Sequence, residues 1–225
     1  MKDLNKKAFA GLLQLFISMT ALLFLPAWTF RYWQAWVFLV VFFVPVLAIT
    51  LYFMQIDPKL LERRTVSGPV AEKERRQKII QSLASIAFIA VIVFPAIDHR
   101  RAWSRVPTYG VAVGDFLVAF GLIGVFFVFK ENSYTSAIIE VAAEQKVITT
   151  GPYARVRHPM YIGALVMLLG VPLALGSWWG LLTIIPMTMV IVWRLLDEER
   201  FLARNLSGYS EYMKKVRYRL LPFLW

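Results

Sequence analysis

Three observations predict an all-α, polytopic integral membrane protein of about six transmembrane helices. Hydrophobic residues make up 59% of the chain and charged residues 17%, against roughly 45–50% and about 25% in a soluble domain. Uncharged stretches long enough to cross a bilayer recur along the 225 residues. Lys and Arg fall almost wholly between alternate stretches. The pattern leaves room for a single membrane domain, 1–225.

The elements come in order. Ala8–Phe30, Tyr32–Ile56 and Ile79–Ile97 carry no charge over 23, 25 and 19 residues, and a spanning helix needs about 20. A fourth span over Tyr109–Phe129 is broken only by Asp115. Pro159–Trp193 is uncharged for 35 residues, which as one helix would reach about 52 Å at 1.5 Å per residue. That exceeds a hydrocarbon core of about 30 Å. Gly176-Ser-Trp-Trp-Gly180 therefore predicts a turn, and the stretch becomes a short helical hairpin whose second leg runs on into Arg194–Arg200. The first span is too long for a cleaved signal, and a second comes almost at once.

Six spans put both termini on one side. Of the 25 Lys and Arg, 21 lie on that side; Arg31, Arg100, Arg101 and Arg105 lie on the other. The positive-inside rule then makes both termini cytoplasmic, together with the two long polar segments. The net charge of +11 suits lipid head groups in so apolar a chain, and membrane lipids rather than nucleic acid are the expected contacts. No obligate protein partner is expected. The absence of Cys excludes disulfides, thiolate nucleophiles and Cys-ligated metals. With His99 and His158 the only histidines, a metal site is not expected.

The polar segments differ in kind. Asp57–Lys78 mixes seven basic with four acidic residues and reads as a solvated connector lying on the membrane, with a role in substrate entrance as the minority reading. Lys130–His158 and Arg194–Trp225 flank the hairpin and carry clustered ionisable groups. In the first, Gly151-Pro152 marks a turn and Pro159 suits the first turn of a helix. That helix start aims free N–H groups and a positive dipole end at the interface, where a carboxylate or phosphate can sit. Arg155 and Arg157 then bind lipid phosphates or a ligand, and His158 caps the helix or touches a ligand. In the second, Asp197-Glu198-Glu199 lies at a helix C-terminal end, where negative charge is disfavoured. Either Arg194, Arg200 and Arg204 compensate, with Arg194 one turn before Glu198, or a cationic ligand does. Together a carboxylate-binding helix start and an acidic cluster suit a zwitterion such as S-adenosylmethionine, a nucleotide or a lipid head group.

Gly151-Pro-Tyr153, Arg157-His-Pro-Met-Tyr161, the apolar hairpin, Glu198-Glu199 and Tyr209-Ser-Glu-Tyr212 ahead of a basic tail resemble the isoprenylcysteine carboxyl methyltransferase family. These are integral-membrane methyltransferases, with the phospholipid N-methyltransferases as more distant relatives. The likeness covers about Lys130 to Trp225; the first four spans, 1–129, add only compatible topology. It implies S-adenosylmethionine as cofactor, S-adenosylhomocysteine as product and a lipophilic or lipidated acceptor, bearing a carboxylate or an amine. By position, it implies that Gln145, Lys146, Val147 and Ile148 line the cofactor site, that Tyr153 covers it, and that His158, Pro159, Met160 and Tyr161 hold the amino acid head and sulfonium region. Glu198 and Glu140 become polar cofactor contacts. Arg194 resembles the family arginine that orients an acceptor carboxylate, with Arg157 the next candidate; for an amine acceptor, Glu199 or His158 is the base. Two rival readings are an NADPH-dependent membrane reductase of the sterol or steroid type, which carries a related stretch, and a membrane scaffold without enzymatic activity.

Overall fold

The computed structural model describes residues 2–142 and 144–225. They form helices and no strands among the described residues. Helix α1 spans Lys2–Ala27, α2 Trp33–Ile56, α3 Pro58–Thr65, α4 Arg75–Arg101 and α5 Thr108–Glu131. After an irregular segment and a 3-10 turn at Gly151–Ala154 come α6 (Pro159–Ala174), a 3-10 turn at Trp179–Thr183, α7 (Ile184–Asn205) and α8 (Tyr209–Lys215). Five helical stretches are long and apolar enough to cross a membrane, and the 16-residue α6 is a shorter apolar one. The expectation of about six membrane helices, the last two a hairpin, holds. Helix α6 is about 24 Å long, short of a full crossing.

The hairpin's first leg is seated by glycines. Helix α6 packs along α5 with Gly163 opposite Gly121 and Gly170 opposite Gly114. A Cβ on Gly121 would lie 2.5 Å from the Gly163 carbonyl oxygen, and one on Gly170 equally close to the Gly114 carbonyl. Small residues let helix backbones meet where lipid supplies no hydrophobic drive. Lipid-facing side chains stay outside: Leu13, Val40, Ile86, Phe116 and Met189 are all exposed, as a bilayer solvent allows.

Each end of the bundle carries a polar assembly. At the end where α4 stops, Asp98 is 1% exposed. Its Oδ1 accepts the Ser104 amide at 2.7 Å and its Oδ2 the Ser104 hydroxyl at 2.6 Å. The Ser177 hydroxyl also donates to Oδ2, and Ser177 Oγ accepts the Gly180 amide at 2.8 Å. Tyr32 stacks on His99 with ring centroids 3.9 Å apart and donates to the Leu175 carbonyl at 2.6 Å. This network ties the hairpin turn to the end of α4. Gly176, with φ +73°, makes the turn itself, in the left-handed region that favours glycine.

At the opposite, basic end, Asp57–Lys78 is only in part the solvated connector expected: much of it is exposed, but it carries a buried face. Asp57 caps α3 by accepting the Leu60 amide at 3.0 Å, Leu60 and Leu61 are buried, and the Glu72 side chain is wholly buried. Glu72 Oε2 accepts the Ile139 amide at 3.2 Å. The segment folds under the 132–148 stretch and supplies Arg64 and Ser67 to the cavity at this end of the bundle.

Candidate active site

The Arg157-His158 dipeptide is locked by the C-terminal tail. Its two amides donate to the carbonyls of Tyr218 and Arg219 at 2.9 and 3.0 Å. The Arg157 Nη1 group donates to the carbonyls of Val216 and Arg217 at 2.9 and 3.1 Å. Its Nε donates to Glu199 Oε1 at 2.6 Å. His158 Nε2 lies 3.2 Å from the same oxygen, and Arg219 Nε donates to Glu199 Oε2 at 2.9 Å. Three cationic or potentially cationic groups thus surround one buried carboxylate. The arginine side chain serves tail carbonyls that would otherwise be left unpaired.

This geometry corrects two expectations and narrows a third. Arg157 reaches neither lipid phosphate nor acceptor with its bonded groups; its side chain is 6% exposed and committed to the chain. His158 is the N-cap residue of α6 but makes no side-chain cap. Glu199 stands outside the cavity wall and holds the tail in place, so it is not available as a base.

Two of the three carboxylates on α7 are compensated, but not by the nearby arginines. Asp197 pairs with Arg76 of α4 at 3.1 Å, and Glu199 pairs with Arg157, His158 and Arg219. The expected Arg194–Glu198 pair does not form. Arg194 Nη1 donates to Glu72 Oε1 at 2.8 Å and to Gln81 Oε1 at 2.7 Å, and Nη2 donates to the Ala137 carbonyl at 2.9 Å. Glu198 is left with no cation within 4 Å among the described residues. Its Oε2 accepts the Tyr161 hydroxyl at 2.6 Å.

Glu198 and Tyr161 stand in the wall of a cavity of about 390 Å³, within the 300–1,000 Å³ typical of small-molecule sites. Glu140, Gln145, Lys146, Val147, Ile148, Tyr153, His158, Pro159, Met160, Arg157 and Arg194 also line it. Residues from three separate stretches of sequence are thereby brought together. Gln145 Oε1 accepts the Ala142 amide at 2.9 Å and shapes the loop. Glu140 pairs with Lys73 at 3.2 Å. The Tyr153 hydroxyl accepts from Asn132 Nδ2 at 3.0 Å, and its carbonyl accepts the Tyr212 hydroxyl at 2.8 Å. Burial pushes the Tyr153 phenol up to about 12 and raises Tyr209 and Tyr212 as well, so all three stay protonated at neutral pH.

Sequence reasoning missed several lining residues. Arg64 comes from α3 and Gln81 from α4, with Asn132, Tyr134 and the 135–139 backbone from the irregular segment. The division into a scaffold before residue 130 and a site after it does not hold at the cavity. Leu202, Leu206, Tyr209 and Tyr212 close the opposite wall, packed with Val147 in a small apolar cluster.

The residues present fit S-adenosylmethionine. The Tyr209 hydroxyl is buried, lines the cavity and lacks a hydrogen-bond partner. Buried polar groups are ordinarily bonded, and this one has no partner among the described residues. The unpaired Glu198 carboxylate suits an ammonium, and the Val147–Leu206 wall suits a flat apolar ring.

Residues 109–208 match the family described as phospholipid methyltransferase. The chain is 30% identical over 90 residues to "Delta(14)-sterol reductase TM7SF2" of Mus musculus, across 39% of this chain and 22% of that protein. It is 24% identical over 109 residues to the "Cobalt-zinc-cadmium resistance protein CzcN" of Cupriavidus metallidurans, across 48% of this chain and 50% of that protein. It is also 26% identical over 170 residues to a "Probable protein-S-isoprenylcysteine O-methyltransferase" of Oryza sativa, across 72% of this chain and 84% of that one. The chain thus spans about a fifth and half of the first two relatives and most of the third. The family match and the likeness to the Oryza sativa protein bear out the resemblance to membrane methyltransferases read from the motifs.

Proposed function

We propose, from the premise that residues 109–208 belong to the phospholipid methyltransferase family, that this chain methylates a lipophilic acceptor, with S-adenosylmethionine as methyl donor. The observation that carries the reading is Glu198, a carboxylate in the cavity wall bonded by the Tyr161 hydroxyl and by no cation among the described residues. A carboxylate without an ion pair beside Tyr161 favours a cationic ligand group at that wall, and the likeness to a methyltransferase covers 72% of this chain against 39% for the sterol reductase, so the reductase reading is the weaker one.

The cofactor, when bound, supplies a methyl group activated on a sulfonium. The protein's part is positioning, which in favourable cases is worth about 7–11 kcal/mol of a barrier. Glu198 and the Tyr209 hydroxyl hold polar groups of the donor, Tyr153 and the Val147–Leu206 wall enclose its ring, and Met160 and Tyr161 face the reacting centre. No metal is needed for such a displacement. A carboxylate acceptor is already nucleophilic at neutral pH and needs orientation alone. Arg194 is pre-set for that by Glu72 and Gln81, and a guanidinium can grip a carboxylate at two points. An amine acceptor needs a base, and both candidates, His158 and Glu199, are tied to one another and to arginines. The carboxylate is therefore the preferred acceptor. With 21 of 25 Lys and Arg at the cavity's end of the bundle, the positive-inside rule puts the site and both termini in the cytoplasm. The acceptor enters from the bilayer and the donor from water.

The test is incubation of membranes containing the protein with methyl-labelled S-adenosylmethionine, then lipid extraction and base treatment. Volatile label released by base means a methyl ester, as expected. Label that stays in an extracted head group means an amine acceptor. No incorporation above membranes lacking the protein contradicts the reading.

A further inference from the structure

Four Lys or Arg side chains line the cavity: Arg64, Lys146, Arg157 and Arg194. Arg157 is bound to Glu199 and Arg194 to Glu72. Lys146 stands in the loop that closes over the Val147 wall. Lys146 also lacks a carboxylate partner among the described residues but is exposed, whereas Arg64 is half-buried. Its only protein hydrogen-bond partner with an oxygen, among the described residues, is the Ser136 carbonyl, 2.9 Å from Nη1. The same Nη1 approaches Met160 Sδ at 4.0 Å, and the guanidinium lies over the Phe129 ring, 5.0 Å from its centroid. No carboxylate lies within 4 Å of it among the described residues. A guanidinium offers five donors, and here Nε and Nη2 are uncommitted. Burial pushes Arg64 down to about 10, so it remains charged at neutral pH. The Arg194 charge is close enough to add to this lowering.

A half-buried guanidinium near a second one, without a counter-ion, is costly unless an anion completes it. On the methyltransferase reading Met160 faces the donor, and Arg64, 4.0 Å from its sulfur, then stands where the acceptor end of the cavity meets the reacting centre. It also sits on α3, which follows directly on the second span. We infer that Arg64 is the specificity-determining residue for the acceptor: it binds the oxyanion of a lipophilic molecule, working with Arg194 across the Tyr161 hydroxyl. This rests on the methyltransferase reading and deepens it. The oxyanion has two sources, the acceptor's own carboxylate or the phosphate of a phospholipid whose amine is methylated.

The experiment uses the full-length protein purified in a zwitterionic detergent, with two non-reacting probes, myristate and dodecyl phosphate, and S-adenosylhomocysteine as a separate probe of the donor site. Wild type should bind at least one anion, and Arg64→Gln should weaken that binding at least tenfold. Arg64→Lys should fall between the two, since a point charge lacks the planar fork. S-adenosylhomocysteine affinity should stay within twofold in both variants, which also shows that they are folded. Preference for myristate assigns a carboxylate acceptor, and preference for dodecyl phosphate assigns a phospholipid. If wild type binds neither anion, or Arg64→Lys and Arg64→Gln bind as wild type does, the inference is overturned while the donor reading stands. If S-adenosylhomocysteine fails to bind wild type, the functional reading itself is lost.

Discussion

The two ends of the bundle solve the same problem in opposite ways. Each buries carboxylates beside helix ends. At the hairpin end, Asp98 is satisfied entirely by the chain, through the Ser104 amide and two serine hydroxyls. At the basic end, Glu199 is likewise satisfied by Arg157, His158 and Arg219. Its neighbour Glu198 is not, and neither is Arg64. A buried charge with a complete set of partners fixes structure; one left incomplete in the wall of a cavity marks a place for a ligand. The basic end therefore holds both kinds side by side, and a single residue step along α7 separates them.

The sharpest way to break this comparison is to neutralise the adjacent carboxylates separately. Glu199→Gln leaves buried cations without their counter-charge, and breaking a buried pair costs about 3–5 kcal/mol. A large drop in the melting temperature of the detergent-solubilised protein is expected. Glu198→Gln should melt close to wild type but bind S-adenosylhomocysteine more weakly by about 1.5–3 kcal/mol, the worth of a charged hydrogen bond. Titration calorimetry checks the second half. If both variants lose stability equally, the distinction between anchoring and ligand-binding carboxylates collapses.

Asp98→Ala probes the hairpin end. It takes the acceptor from the Ser104 amide and from the Ser104 and Ser177 hydroxyls, at about 1–3 kcal/mol for each group left buried and unpaired, and should lower the melting temperature without altering S-adenosylhomocysteine affinity. Arg194→Lys retains the charge opposite Glu72 but not the three-way geometry to Glu72, Gln81 and Ala137. Turnover should fall roughly tenfold, equivalent to about 1.4 kcal/mol, at unchanged donor affinity; a parallel loss of both would assign Arg194 to structure. The smallest effect belongs to Tyr209→Phe. Removing an unpartnered buried hydroxyl should leave the melting temperature of the ligand-free protein unchanged or slightly higher. Donor affinity should weaken by about 0.5–1.5 kcal/mol, measured by the same calorimetry.

The spans were legible because membrane helices announce themselves locally, by length and lack of charge. The hairpin was legible because 35 uncharged residues cannot fit one crossing and Gly176 offered the turn. The cavity's central wall could be found because Arg157–Tyr161 and Glu198 carry a recognisable pattern. What stayed hidden depended on distant pairing. Arg194 and Glu198 are one turn apart and share a helix face, so the local pair looked natural; the partner that prevails, Glu72, is 122 residues away. Asp98 and Ser177 are 79 apart, and nothing in either neighbourhood points to the other. Arg64 was hidden for a further reason. A stretch with seven basic and four acidic residues reads as solvated, and only the cap by Asp57 and the burial of Leu60 and Leu61 turn α3 towards the cavity.

The central claim is that the cavity at the basic end holds a sulfonium donor and not a nicotinamide. Equilibrium titration of the purified full-length protein with S-adenosylhomocysteine, and separately with NADPH, tests it most directly. The account predicts saturable one-to-one binding of S-adenosylhomocysteine, weakened by Glu198→Gln, and no saturable binding of NADPH. Saturable NADPH binding, with S-adenosylhomocysteine inert, would contradict it.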